Sequence, residues 1–75
     1  MAVTTKAVRV SYDPEADAAY VYLREGTEFG RVARTAFCDI ELQNAAINVD
    51  FDNQGRVVGF EILGARKLLP EALLE

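Results

Sequence analysis

Histidine and tryptophan are missing from this chain of 75 residues, and cysteine and methionine occur once each. Without histidine the chain lacks the usual proton shuttle near neutral pH and the commonest transition-metal ligand. Cys38 has no second cysteine to pair with, so no internal disulfide can form, which suits a reducing compartment. A nucleophilic thiolate wants a basic partner, so Cys38 reads as a small hydrophobe closing an apolar run. Basic residues are few, 8 against 12 acids, for a net charge of −4. That balance opposes binding to a phosphate backbone, although Arg31 with Arg34 and Arg66 with Lys67 make two local basic pairs. No apolar stretch is long enough to span a bilayer, and the opening M-A-V-T-T-K has no signal-peptide core. The expectation is a cytoplasmic protein with no cofactor.

What the chain does contain is ordinary for a globular domain, 51% hydrophobic and 27% charged. It is expected to form a single domain over residues 1–75, with 1–6 frayed. A core this small and without disulfides is marginal, and association is the usual remedy, so a homo-oligomer, a dimer first, is expected. The clearest element is Ile47 to Ile62. Ile47, Val49 and Phe51 alternate with polar residues, and Val58, Phe60 and Ile62 share one side of a second arm. D-N-Q-G-R joins the arms, with Gly55 free to take a positive φ. Apolar positions are odd before the turn and even after it. Without a bulge the loop must therefore hold an even number of residues, which pairs Phe51 with Val58 and Ile47 with Ile62.

Alternation also places a strand from about Ala7 to Tyr12, ended by Asp13-Pro14, and a second from Ala18 to Arg24 that is apolar on both faces. Glu25-Gly26-Thr27 reads as a turn. Val32 to Cys38 reads as a weaker strand, with Arg34 marking a sheet edge. Asp39 to Ala46 fits a strand or one or two helical turns equally. The tail switches period. Ala65, Leu68, Leu69, Ala72 and Leu73 make an amphipathic helix in two short pieces, the second opened by Pro70. The sum is an α+β fold, a four- to five-stranded mostly antiparallel sheet with a C-terminal helix packed on one face.

Two stretches carry a resemblance: Y-D-P-E-A-D-A-A-Y-V-Y-L, from Tyr12 to Leu23, and N-V-D-F-D-N-Q-G-R-V-V-G-F-E-I-L, from Asn48 to Leu63. In order and spacing they resemble the small prokaryotic proteins of the domain of unknown function 2283 family. The likeness implies a small α+β domain of prokaryotic origin with a short helical tail, and brings no catalytic residue with it.

Three groups of residues are candidate sites. Asp50, Asp52 and Glu61 fall at positions 1, 3 and 12 of a calcium-loop count with Gly55 at 6, but Gln54 breaks the pattern and both flanks are strands rather than helices. Asp13, Glu15 and Asp17 could hold a hard cation or act as an acid/base pair, against the simpler reading of Asp13 as a cap on the E-A-D turn. Tyr12, Tyr20 and Tyr22 read as core or subunit-interface residues, since base stacking would need a basic surround. The expected function is a small protein-binding or regulatory module acting through an oligomer or partner interface, the acidic partner of a basic protein as antitoxins often are. The alternatives are a small-ligand or metal-assisted enzyme using Asp13, Glu15 and Asp17, and a cation site at Asp50–Glu61.

Overall fold

The computed structural model describes residues 2–24 and 32–75. Five strands form one antiparallel sheet: β1 Arg9–Asp13, β2 Ala18–Tyr22, β3 Arg34–Phe37, β4 Ala46–Phe51 and β5 Val57–Leu63. Their order across the sheet is β1-β2-β5-β4-β3, so the last strand in the chain is central. After β5 come a single helical turn, α1 Ala65–Leu68, and a 3-10 helix over Glu71–Leu74. This is the α+β architecture the alternation predicts.

The hairpin at β4 and β5 forms with one correction. Ile47 pairs with Ile62, but Phe51 pairs with Val57 rather than Val58 because a bulge at Asp50/Phe51 shifts the register. The five residues between the strands are an odd number, and the bulge absorbs the odd one. Gly55 has φ 79°, as the turn requires.

The other strands also differ at their ends. β1 runs through Asp13, whose backbone still pairs with Ala18. β3 is limited to four residues, although Ala33 and Cys38 each donate one further bond, to the Phe51 and Ile47 carbonyls. It lies at the sheet edge, as Arg34 suggests, and the Arg34 guanidinium rests 4.2 Å from the Phe51 ring centroid. Asp39 to Ala46 is mostly loop, with a turn at Gln43-Asn44 where Asn44 has φ 57°. The turn at Glu25-Gly26-Thr27 and Arg31 lie outside the described residues.

Cross-strand partners define two faces. On one, Tyr12, Ala19, Ile62 and Ile47 form a row across four strands, and Val10, Val21, Phe60, Val49 and Ala36 form a second row across all five. The tail covers the first row. Ala19, Ile62 and Ala65 are buried there, with Tyr12, Val21, Ile47, Leu68, Leu69 and Leu74 packed around them. Ala72 and Leu73 are exposed instead, because the chain extends at Leu69 and resumes as a 3-10 helix with a period of three. Pro70 stands before that second piece, as its missing N–H demands.

Candidate functional site: the tyrosine and carboxylate face

The opposite face is polar and carries two rows of its own. Ser11, Tyr20, Glu61, Asn48 and Phe37 stand side by side across the five strands, and next to them Arg9, Tyr22, Gly59, Asp50 and Thr35. Gly59 is the one position without a side chain, and Tyr20 leans into the space. A Cβ built on Gly59 would lie 2.5 Å from Tyr20 Cε2 and 2.6 Å from Cζ, far inside van der Waals contact. The ring thereby crosses β5 and its hydroxyl donates to Asp50 Oδ2 on β4 at 2.6 Å. Thr35 on β3 donates to Asp50 Oδ1 at 2.6 Å, so one carboxylate joins three strands.

Asn48 donates to Glu61 at 3.0 Å. Tyr22 lies 4.7 Å from Tyr20, exchanges a hydrogen bond with Ser11 at 3.2 Å, and carries the Arg9 guanidinium 4.1 Å over its ring. Burial and the bond to the Asp50 carboxylate hold the Tyr20 phenol well above its ordinary range. It is a proton-holding donor at all ordinary pH. The face is thus a fixed lattice of aromatic rings and carboxylates.

The three tyrosines do not form one set. Tyr12 projects from the tail-covered face and donates to Asp17 Oδ1 at 2.9 Å, while Tyr20 and Tyr22 share the polar face. Burial, and then the bond to Asp17, raise the Tyr12 phenol above its usual value.

The acidic turn D-P-E-A-D divides its carboxylates among separate tasks. Asp13 Oδ1 accepts from the Glu15 and Ala16 N–H groups at 3.0 and 3.4 Å, the cap geometry expected for it. Glu15 is exposed. Asp17, with φ 51°, points the other way: its carboxylate accepts from Arg66 N at 3.0 Å and its carbonyl from Gly64 and Ala65. It ties the β1–β2 turn to the start of α1, a role the sequence did not disclose. A cleft of about 450 Å³ does lie beside this turn, lined by Tyr12, Pro14, Arg66, Leu69, Glu71, Leu74 and Glu75. The carboxylates that reach it belong to the tail rather than to Asp13, Glu15 or Asp17.

The calcium-loop residues are likewise dispersed. Asp50 and Glu61 belong to the lattice just described. Asp52, only 5% exposed, closes the hairpin: Oδ1 accepts from the Gln54 and Arg56 N–H groups at 2.9 Å each, and Oδ2 pairs with Arg24 and, at 3.4 Å, with Arg56 Nε. The backbone N–H of Arg56 leads the groups that hold this carboxyl below its usual range, with Gln54 N–H and the Arg24 guanidinium assisting. Among the described residues no group of three or more Cys, Asp or Glu side chains is placed to hold a metal ion. Cys38 is a free, half-buried thiol, and no described helix is long and apolar enough to cross a membrane.

The fold and its lattice define a small α+β domain that carries one open polar sheet face and one half-covered apolar face. The chain belongs to the family described as Protein of unknown function (DUF2283), whose model matches residues 9–66. Comparison with curated proteins and with solved structures finds no match.

Proposed function

We propose that the protein is a small binding or regulatory module that works as a homodimer, a second copy covering the open half of the apolar face. The observation that carries this reading is the row Val10, Val21, Phe60, Val49 and Ala36. All five are only half-buried, and Phe51 and Val58 beside them are too. Among the described residues no large side chain is fully buried, and the buried apolar core is limited to Ala19, Ile62 and Ala65. The accessible surface is 5879 Å². A compact monomer of 8.3 kDa exposes about 4600 Å². The exposed residues 2–8 contribute to the difference, and an interface of standard size covers about 800 Å² of each subunit.

The apolar face also carries little charge, Arg34 standing at its edge with its guanidinium over the Phe51 ring, so two copies meet there with little repulsion. Cytoplasmic location follows from the lone cysteine and prokaryotic origin from the family resemblance, both as part of this proposal. A small-ligand enzyme is the weaker reading, because Asp13, Glu15 and Asp17 do not converge on the cleft beside them.

Light scattering at micromolar concentration tests the proposal. The expected mass is twice 8.3 kDa for the native chain and one chain for Phe60→Asp or Val49→Asp. A native chain that remains monomeric at tens of micromolar would sink it.

A further inference from the structure

From the charge and ring geometry of the polar face we infer that it receives an extended, arginine- or lysine-bearing segment of another protein. The inference rests on the homodimer reading, in which this face is what the assembly presents. Asp50 and Glu61 stand on adjacent strands, β4 and the central β5, and their side-chain hydrogen-bond partners, Tyr20, Thr35 and Asn48, are all neutral. Among the described residues no cation pairs with either carboxylate, while Arg24 and Arg56 are committed to Asp52 at the sheet's end. Two negative charges are therefore held in a hydrogen-bonded, half-buried setting without neutralisation. A carboxylate so placed interacts more strongly with an incoming cation than a fully solvated one does.

The rings beside them suit the same ligand. The chain's own Arg9 already lies over Tyr22 at 4.1 Å, which displays the contact a foreign guanidinium would make with these aromatics. Tyr20 is immobilised by Gly59 beneath it and Asp50 at its tip, so little side-chain entropy is lost when a partner packs on it. At the far edge Phe37 is 67% exposed and can take the aliphatic stem of a long basic side chain. From Arg9 on β1 to Thr35 on β3 there are four inter-strand gaps, about 19 Å at about 4.8 Å each. A lone cation engages a fraction of that distance. An extended peptide of about six residues spans it. Phosphate-bearing polymers are repelled by the same charges.

The test is a titration of the full chain with an oligo-arginine peptide of about six residues, followed by tyrosine fluorescence, which no tryptophan obscures. Saturable binding at one peptide per protomer is expected, weakening as salt rises. The double variant D50N/E61Q should bind about tenfold more weakly, and E61Q alone, which keeps a partner for Asn48, should account for a measurable part of that loss. E71Q/E75Q removes the same formal charge from the tail and should leave binding within about twofold. An equal loss in the two double variants would reduce the effect to net charge and overturn the inference. So would equal binding of an oligo-glutamate peptide or a single-stranded oligonucleotide, or an absence of saturable binding at low salt. Light scattering on the same samples keeps the two proposals apart. A dimer that ignores the peptide sinks this inference alone, and a monomer that binds it through Asp50 and Glu61 sinks only the dimer.

Discussion

Replacing Gly59 by alanine should destabilise the fold through a residue that Gly59 never pairs with in sequence. The three atoms nearest to a Cβ at this position all belong to the hydroxyl end of the Tyr20 side chain. The ring must swing out, which breaks the bond from Tyr20 to the Asp50 carboxylate and uncovers the centre of β5. A hydrogen bond to a charged acceptor contributes about 1.5–3 kcal/mol. Alanine in a strand is favoured over glycine by about 0.5–1 kcal/mol, which offsets part of the loss. The net cost is about 1–2 kcal/mol, or a fall in melting temperature on the order of 10 °C for a domain of this size.

Urea unfolding followed by circular dichroism at one fixed protein concentration measures it, since association couples to stability. The decisive comparison is a double-mutant cycle. In a Tyr20→Ala background the obstructing atoms are gone, so Gly59→Ala should become stabilising by about 0.5–1 kcal/mol. The change of sign is specific to the packing described. If Gly59→Ala costs the same with or without Tyr20, or costs nothing with it, the role assigned to this contact is wrong.

Two predictions concern pH, and their signs are opposite. Tyr20 has a raised pKa in the folded state, so its contribution is fully present below about pH 10 and is lost as the pH climbs further. Tyr20→Phe should flatten that alkaline decline in thermal melts. Asp52 has a lowered one, so its contribution is intact above about pH 4 and disappears as the pH falls through the folded value. Asp52→Asn should flatten the acid limb, while Asp52→Ala should lower the melting temperature at neutral pH by on the order of 10 °C, because the Gln54 and Arg56 N–H groups and Arg24 all lose their acceptor. Asp17→Ala should raise amide exchange across residues 65–69 by about tenfold, with Asp17→Asn intermediate, as the link from the β1–β2 turn to α1 is removed.

The parts of the fold that were legible in the sequence are those set by local repetition. Alternation identified the strands, Gly55 the central turn, Arg34 an edge and Pro70 the break in the tail. The bulge was not legible, because it depends on Asp52 accepting from Gln54 and Arg56 and so fixing a five-residue loop. The packing of Leu74 in place of Leu73 escaped for a related reason: an extended residue at Leu69 resets the helical phase.

The site was visible only in pieces. Tyr20 and Tyr22 share a face by parity within one strand, but the side on which Tyr12 lies depends on the register across the β1–β2 turn. Tyr20, Asp50 and Thr35 come from three strands and meet only because β5 separates β2 from β4 with a glycine at the crossing. Neither fact has a signature within a short window of sequence.

The central place of β5 also sets an order of assembly. During synthesis β1 with β2, and later β3 with β4, emerge as two separate pairs of strands, each too small to be stable alone. Among the described residues no strand pairing joins them until residues 57–63 arrive and hydrogen-bond to β2 on one side and β4 on the other. The sheet is therefore completed only once Leu63 has been made, by pairings distant in sequence, which slows the closing step. A nascent chain that stalls before Val57 carries two pairs of strands with unpaired neighbours, a state open to mispairing with other copies, and the arrival of β5 ends that exposure.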